Sequence, residues 1–165
     1  TNSMKKPDSL RAHILSAVKE LQRDPDRMFI HTSNGNIRCT GAKGLSFEYV
    51  YELSFVLQDY AGDLDAVMIP LFDWVRVHQS DLLMNLDKSK EAFKFETVLL
   101  NNNLVDLSLT FQLTERVIVK RQDNGTLDIT FPQEPQYEEP LDPQPMQLID
   151  SNTGEILAQW TSTAP

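Results

Sequence analysis

Between Leu45 and Leu57 the chain alternates without a break. Leu45, Phe47, Tyr49, Tyr51, Leu53, Phe55 and Leu57 are separated by Ser46, Glu48, Val50, Glu52, Ser54 and Val56. A period of two puts successive side chains on opposite faces of a strand, here one face to bury and one partly wet. At ~3.3 Å per residue such a strand reaches roughly 40 Å, longer than an ordinary globular strand.

The flanking segments fit around this strand. Asp8 or Ser9 is a good N-cap after Pro7, and Leu10, Ile14, Ala17, Val18 and Leu21 recur at helical spacing. Asp24-Pro25-Asp26 should stop that helix, because a residue before proline is pushed out of the α region. Met28 to Thr32 and Ile37 to Thr40 flank Ser33-Asn34-Gly35-Asn36, whose Asn-Gly step predicts a tight hairpin turn. After the long strand, Asp63 or Asp65 can cap a second helix with a stripe of Val67, Leu71, Trp74, Val75 and His78. Pro70 predicts that its regular part starts close to the proline.

A polar stretch follows Leu82, Leu83 and Met84, and then Phe93, Phe95, Thr97 and Leu99 alternate with polar and apolar neighbours up to the turn cluster Asn101-Asn102-Asn103. Val105, Leu107, Leu109, Phe111 and Leu113 alternate in turn, which predicts a long antiparallel hairpin. Arg116 to Arg121 and Thr126 to Phe131 straddle Asp123-Asn124-Gly125, a further hairpin turn. Helix, strands, helix, strands is an α+β pattern: an antiparallel sheet built from long hairpins, with two main helices packed on one face.

The end of the chain has a different character. Five of the nine prolines lie between Pro132 and Pro145, a composition that predicts an extended, solvated linker. Gln147 to Ile149 and Ile156 to Trp160 then surround a turn containing Asn152 and Gly154, which reads as a small hairpin on an arm. A lone hairpin is barely stable in water, so Leu148, Ile156 and Trp160 are expected to pack on the body or on a neighbouring subunit. They are the candidate assembly-arm contacts. The expected organisation is an expression remnant at 1–3, an α+β core domain at 4–131, a linker at 132–145 and a C-terminal hairpin or arm at 146–165.

Charge follows the same division. The formal charge is -9, yet residues 1–121 hold all 15 Lys and Arg with 16 acids, while residues 122–165 hold eight acids and no base. A nearly neutral body thus carries an acidic tail, which argues against a protein that binds nucleic acid by broad phosphate neutralisation. One cysteine excludes an internal disulfide framework and a Cys-rich zinc site. Lys5 and Lys6 are followed by Pro7, Asp8 and Ser9 where an export signal needs an apolar core. The longest apolar run, Ala66 to Phe72, is far short of the ~20 residues of a membrane-spanning helix. No membrane role is expected.

The residues that could carry chemistry are scattered. His13, His31 and His78 show no ligand spacing, and Cys39 sits in no nucleophile motif. Glu48 and Glu52 share a strand face but stand too far apart for a tight carboxylate pair. Asp59, Asp63 and Asp65 miss the calcium-loop pattern and suit turns and caps. No catalytic residue, metal ligand or cofactor site is expected, so the residues themselves point to a binding or assembly protein.

Several strings go further. MKKPDSLRAH (Met4 to His13), DPDR (Asp24 to Arg27), LSFEYVYEL (Leu45 to Leu53), DAVMIPLFDWVRVHQ (Asp65 to Gln79) and LTERVIVK (Leu113 to Lys120) together resemble the tail completion protein R family of contractile-tailed temperate bacteriophages and prophages. They are helix and strand faces rather than catalytic motifs, and their co-occurrence in order covers most of Met4 to Arg121. The resemblance implies a tail-terminator-like structural virion protein. It would be made in the bacterial host cytoplasm and reside in the virion tail, finishing the tail at its head-proximal end before head joining. It further implies a homo-oligomeric ring, with tail tube, sheath and head-tail connector or neck proteins as partners and DNA only as a passing, non-adhering strand. The competing expectation is an adaptor that forms no ring and binds a phage or host partner through its acidic C-terminal arm.

Overall fold

The computed structural model describes residues 4–39, 41, 44–137, 139 and 141–163. The expected remnant Thr1, Asn2 and Ser3, the expected strand end Thr40, the linker residues Glu138 and Pro140 and the last two residues of the arm lie outside the described residues.

The first helical stripe is buried as expected, with Leu10, Ile14, Ala17, Val18 and Leu21 almost fully enclosed. Helix α1 spans Lys6–Ala17 and the chain bends at Val18 before a short α2, Lys19–Arg23. Neither Asp8 nor Ser9 is the cap: the helix starts earlier, from Lys5, with Pro7 inside the first turn where a missing amide costs nothing. A 3₁₀ turn at Pro25–Arg27 then leads into strand β1, Met28–Cys39.

The expected turn at Ser33 to Asn36 is not a turn. β1 runs straight through it, antiparallel to β2, Phe47–Tyr60, with one extra residue between the pairs Ser33↔Glu52 and Asn36↔Val50. This is a β-bulge, and Asn34 takes the left-handed conformation there at φ 50°. The Asn-Gly step supplies that conformation equally well to a bulge or to a hairpin. The alternating strand also sits later than expected, with Leu45 outside it and Tyr60 at its end. A second bulge between Leu57 and Tyr60, with Asp59 at φ 50°, carries it on.

Helix α3 spans Asp65–His78 and contains Pro70 in its interior, so it begins five residues before the proline rather than beside it. Val67, Leu71, Trp74 and Val75 are fully buried beneath it, and that burial outweighs one missing helical hydrogen bond. The polar stretch holds two unexpected helical turns, α4 at Asp81–Met84 and α5 at Leu86–Ser89, the second capped by the Asn85 side chain. Strands β3, Lys94–Leu99, and β4, Val105–Arg121, form the expected hairpin. Arg116 to Arg121 is not a separate strand but the far half of β4, which pairs there with β5, Leu127–Thr130. The continuous β4 matches the length of β2 along nearly its whole course.

The sheet order is β1-β2-β4-β3, with β5 also on β4. The architecture is therefore α+β, an antiparallel sheet with two main helices on one face. Tyr51, Leu53, Phe55 and Leu57 of β2 and Leu107, Leu109, Phe111 and Leu113 of β4 meet α1 and α3 in one hydrophobic cluster. Phe93 joins it through an edge contact with Phe72 at 5.1 Å and a tilted contact with Phe111 at 5.2 Å. A separate hairpin, β6 at Pro145–Ile149 and β7 at Ile156–Thr161, lies across α1 and α3.

Candidate assembly surface

The candidate chemical residues do not converge. His13 is buried with Nε2 2.9 Å from the Pro70 carbonyl, and His78 stacks on Trp74 at 4.7 Å. Burial, helped by the Lys6 charge, pushes His78 down to about 4, and burial also lowers His13. His31 is exposed on β1 and Cys39 is exposed at its end. Among the described residues no group of three or more His, Cys, Asp or Glu could hold a metal ion. Glu48 lies in register between Arg38 and Arg116, Asp59 sits at the bulge, and the Asp63 carboxylate accepts the Asp65 amide at 3.0 Å.

The polar residues that do converge hold the fold together. Glu115 is buried on β4 and accepts the backbone amides of Lys5 and Lys6 at 2.7 and 3.1 Å, so it closes the start of α1 from a distant strand. Its other oxygen accepts the Tyr51 hydroxyl at 2.6 Å, and burial together with that bond raises the Tyr51 phenol far above its ordinary value. Next to it, the side of β4 away from β2 has no strand partner between the β3 and β5 ladders. The Thr114 amide there donates to Gln79 Oε1 at 3.0 Å, and its carbonyl accepts Lys6 Nζ at 2.6 Å. Lys6 also meets Gln79 Oε1 at 2.8 Å and Glu134 at 3.0 Å. Burial lowers the Lys6 ammonium from its usual range against the pull of Glu134. Local rules could not find this cluster, because its members come from both ends of the chain and three elements between them.

Glu134 belongs to the proline-rich segment, whose first residues lie along the body. The Ser80 hydroxyl donates to the Pro135 carbonyl at 2.8 Å, and the Gln136 amide donates to the Val77 carbonyl at 2.9 Å. The C-terminal hairpin follows. Trp160 is 7% exposed and its indole N–H donates to Asp73 of α3 at 2.9 Å, while Ala158 joins the core. Leu148 is half-buried against that core and Ile156 is 44% exposed. Of the three candidate arm contacts, Trp160 and Leu148 thus face the chain's own body, and Ile156 faces outward with Ile149.

Two surfaces remain open. The ladder of β1, β2, β4 and β5 continues past the pair Tyr51 with Leu113 of the hydrophobic cluster, forming an arm of the sheet. By alternation, one face of this arm carries Ile37, Phe47, Tyr49, Val119 and Ile129, and the opposite face carries Arg38, Glu48, Arg116, Lys120 and Asp128. The second open surface is β3, exposed along its whole length with Phe95, Val98 and Leu99 uncovered. Uncovered apolar groups on an arm and along a sheet edge are features of a subunit that meets other proteins.

Comparison with known proteins agrees with this character. The model of the P2 phage tail completion protein R (GpR) family matches residues 4–135. The tail completion protein R of Escherichia phage P2 is 36% identical over 157 residues, which cover 95% of this chain and 99% of that protein. No solved structure matches the chain. A family model matched over residues 4–135 and 36% identity along nearly the full length lead to one assignment: the chain belongs to the P2 phage tail completion protein R family.

Proposed function

We propose that this protein completes the phage tail at its head-proximal end, as a ring of identical subunits seated on the last disc of the tail tube. The observation that carries this reading is the match along nearly the whole length to a protein named for tail completion. The fold suits the task. A terminator needs one face complementary to the open tube end and a different face upward, so that addition stops for lack of a matching surface. The amphipathic β arm supplies an apolar face for the first role. The hairpin and the segment leading into it, with Ile149 and Ile156 outward and Asp142 and Glu155 exposed, supply a chemically different surface for neck proteins or a neighbouring subunit. An acidic lining of this kind would let DNA pass without adhering. The protein works by contact, without catalysis, and resides in the virion tail.

Electron microscopy of particles assembled without this protein tests the proposal. Tails of uncontrolled length, or finished tails unattached to heads, are the expected result. Normal virions would overturn it.

A further inference from the structure

Two edge strands of the sheet, β1 and β3, match each other. At β1, the Met28 amide donates to Pro25 and its carbonyl accepts Arg11 at 3.0 Å, so Met28 points away from β2. By alternation Ile30 and Thr32 also point their backbone groups outward. At β3, the Leu100 amide bonds the Leu104 carbonyl across the turn, so even-numbered residues face β4, and Phe95, Thr97 and Leu99 present unpaired backbone groups. The four strands alternate in direction along the path β1-β2-β4-β3. A second copy in the same orientation therefore brings its β1 antiparallel to β3.

We propose that neighbouring subunits join edge to edge, β1 of one copy adding to β3 of the next, so that one sheet continues from subunit to subunit. One register stands out. Setting Ile30 opposite Thr97 and Thr32 opposite Phe95 joins the free backbone groups of those four residues, while those of Leu99 meet Met28, whose own are already bonded to Pro25 and Arg11. It also places Phe29 against Val98 and His31 against Glu96 on the outer face, and Met28 against Leu99 on the helix-covered face. Phe29, Val98 and Leu99 are 45%, 58% and 83% exposed, so the pairing buries apolar groups that the single chain leaves in water. Shifting by two residues one way sets His31 against Lys94 and Phe29 against Glu96. Shifting the other way leaves Glu96 against Ser33 and His31 against Val98. Only the stated register unites apolar with apolar and a histidine with a carboxylate. The contact is head-to-tail, the kind that generates a ring when the rotation closes, and it rests on the ring reading above.

Phe29 and Val98 would be a non-hydrogen-bonded pair, whose close Cα spacing of about 4.5 Å admits a disulfide. Within one chain, β1 and β3 are three strand spacings apart, roughly 14 Å, too far for such a bond. The test is full-length protein carrying Phe29→Cys, Val98→Cys and Cys39→Ser, assembled into tails, oxidised and run on a non-reducing gel. His31→Cys with Glu96→Cys serves as a second pair at exposed positions. A lysine-directed cross-linker is applied to wild-type tails in parallel. A ladder of disulfide-linked multimers that collapses on reduction, absent with either single cysteine, is the expected result. Multimers with the lysine reagent but only monomers with both cysteine pairs would overturn the edge pairing and leave the ring standing. Dimers from Val98→Cys alone would show a two-fold β3 contact and overturn it too. Monomers under every reagent would remove the ring itself and this inference with it.

Discussion

Glu115 shows how far a single residue can act from its place in sequence. Its carboxylate, 8% exposed, satisfies two amides at the start of α1 and the Tyr51 hydroxyl at once. Glu115→Ala would strand all three donors in a buried site. We expect a loss of about 2–4 kcal/mol, above the cost of an ordinary cap, with Glu115→Gln losing less because its carbonyl still accepts. Chemical denaturation checks both, and an unchanged midpoint for Glu115→Ala would refute the bridging role. This residue was not legible in the sequence. Capping rules look within a few positions, so they offered Asp8 and Ser9, while the acceptor stands 110 positions away. Ser9 has a different task, accepting the Trp74 indole N–H at 3.0 Å.

At the scale of elements, periodicity was a better guide than punctuation. The alternation of β2 and β4 and the stripes of α1 and α3 were readable because burial imposes them on every residue of a face. A break is ambiguous wherever one local signal serves two structures. Asn34-Gly35 suits a bulge as well as a turn, and Pro70 interrupts a helical ladder without ending the helix when packing holds both halves. The C-terminal hairpin is the element most dependent on a few contacts. Trp160 is its main anchor, through burial and the bond to Asp73. Trp160→Ala should cost about 3 kcal/mol of docking, raising the undocked population on the order of 100-fold. Limited proteolysis would then cut residues 137–144 much faster while the body survives. An unchanged cleavage rate would show that the hairpin is held by something else.

Taken whole, the molecule is a core with surfaces left over. α1, α3 and the middle of the sheet bury one large apolar cluster, yet many large apolar side chains stay exposed, among them Ile37 and Ile129 on the arm and Phe95, Val98 and Leu99 on the β3 edge. The sequence announced those residues as strand faces but could not say which faces the single chain leaves open. That depends on where the helices stop across the sheet. The uneven charge completes the picture. Asp123 and Asp128 share the arm with Arg38, Arg116, Lys120 and Arg121, while the other six acids of the last 44 residues follow β5 in sequence with no basic residue among them, so the arm is mixed in charge and the C-terminal segment purely acidic. The ring proposed above would draw on such a difference, since one side must fit the tube and the other must not. The most direct measurement is a cryo-electron microscopy reconstruction of the head-proximal end of tails carrying this protein. A single closed ring of density on the last tube disc, fitted by this fold with the β arms toward the tube, is the expected result. Density for the chain at the distal end, or none in the finished tail, would contradict it.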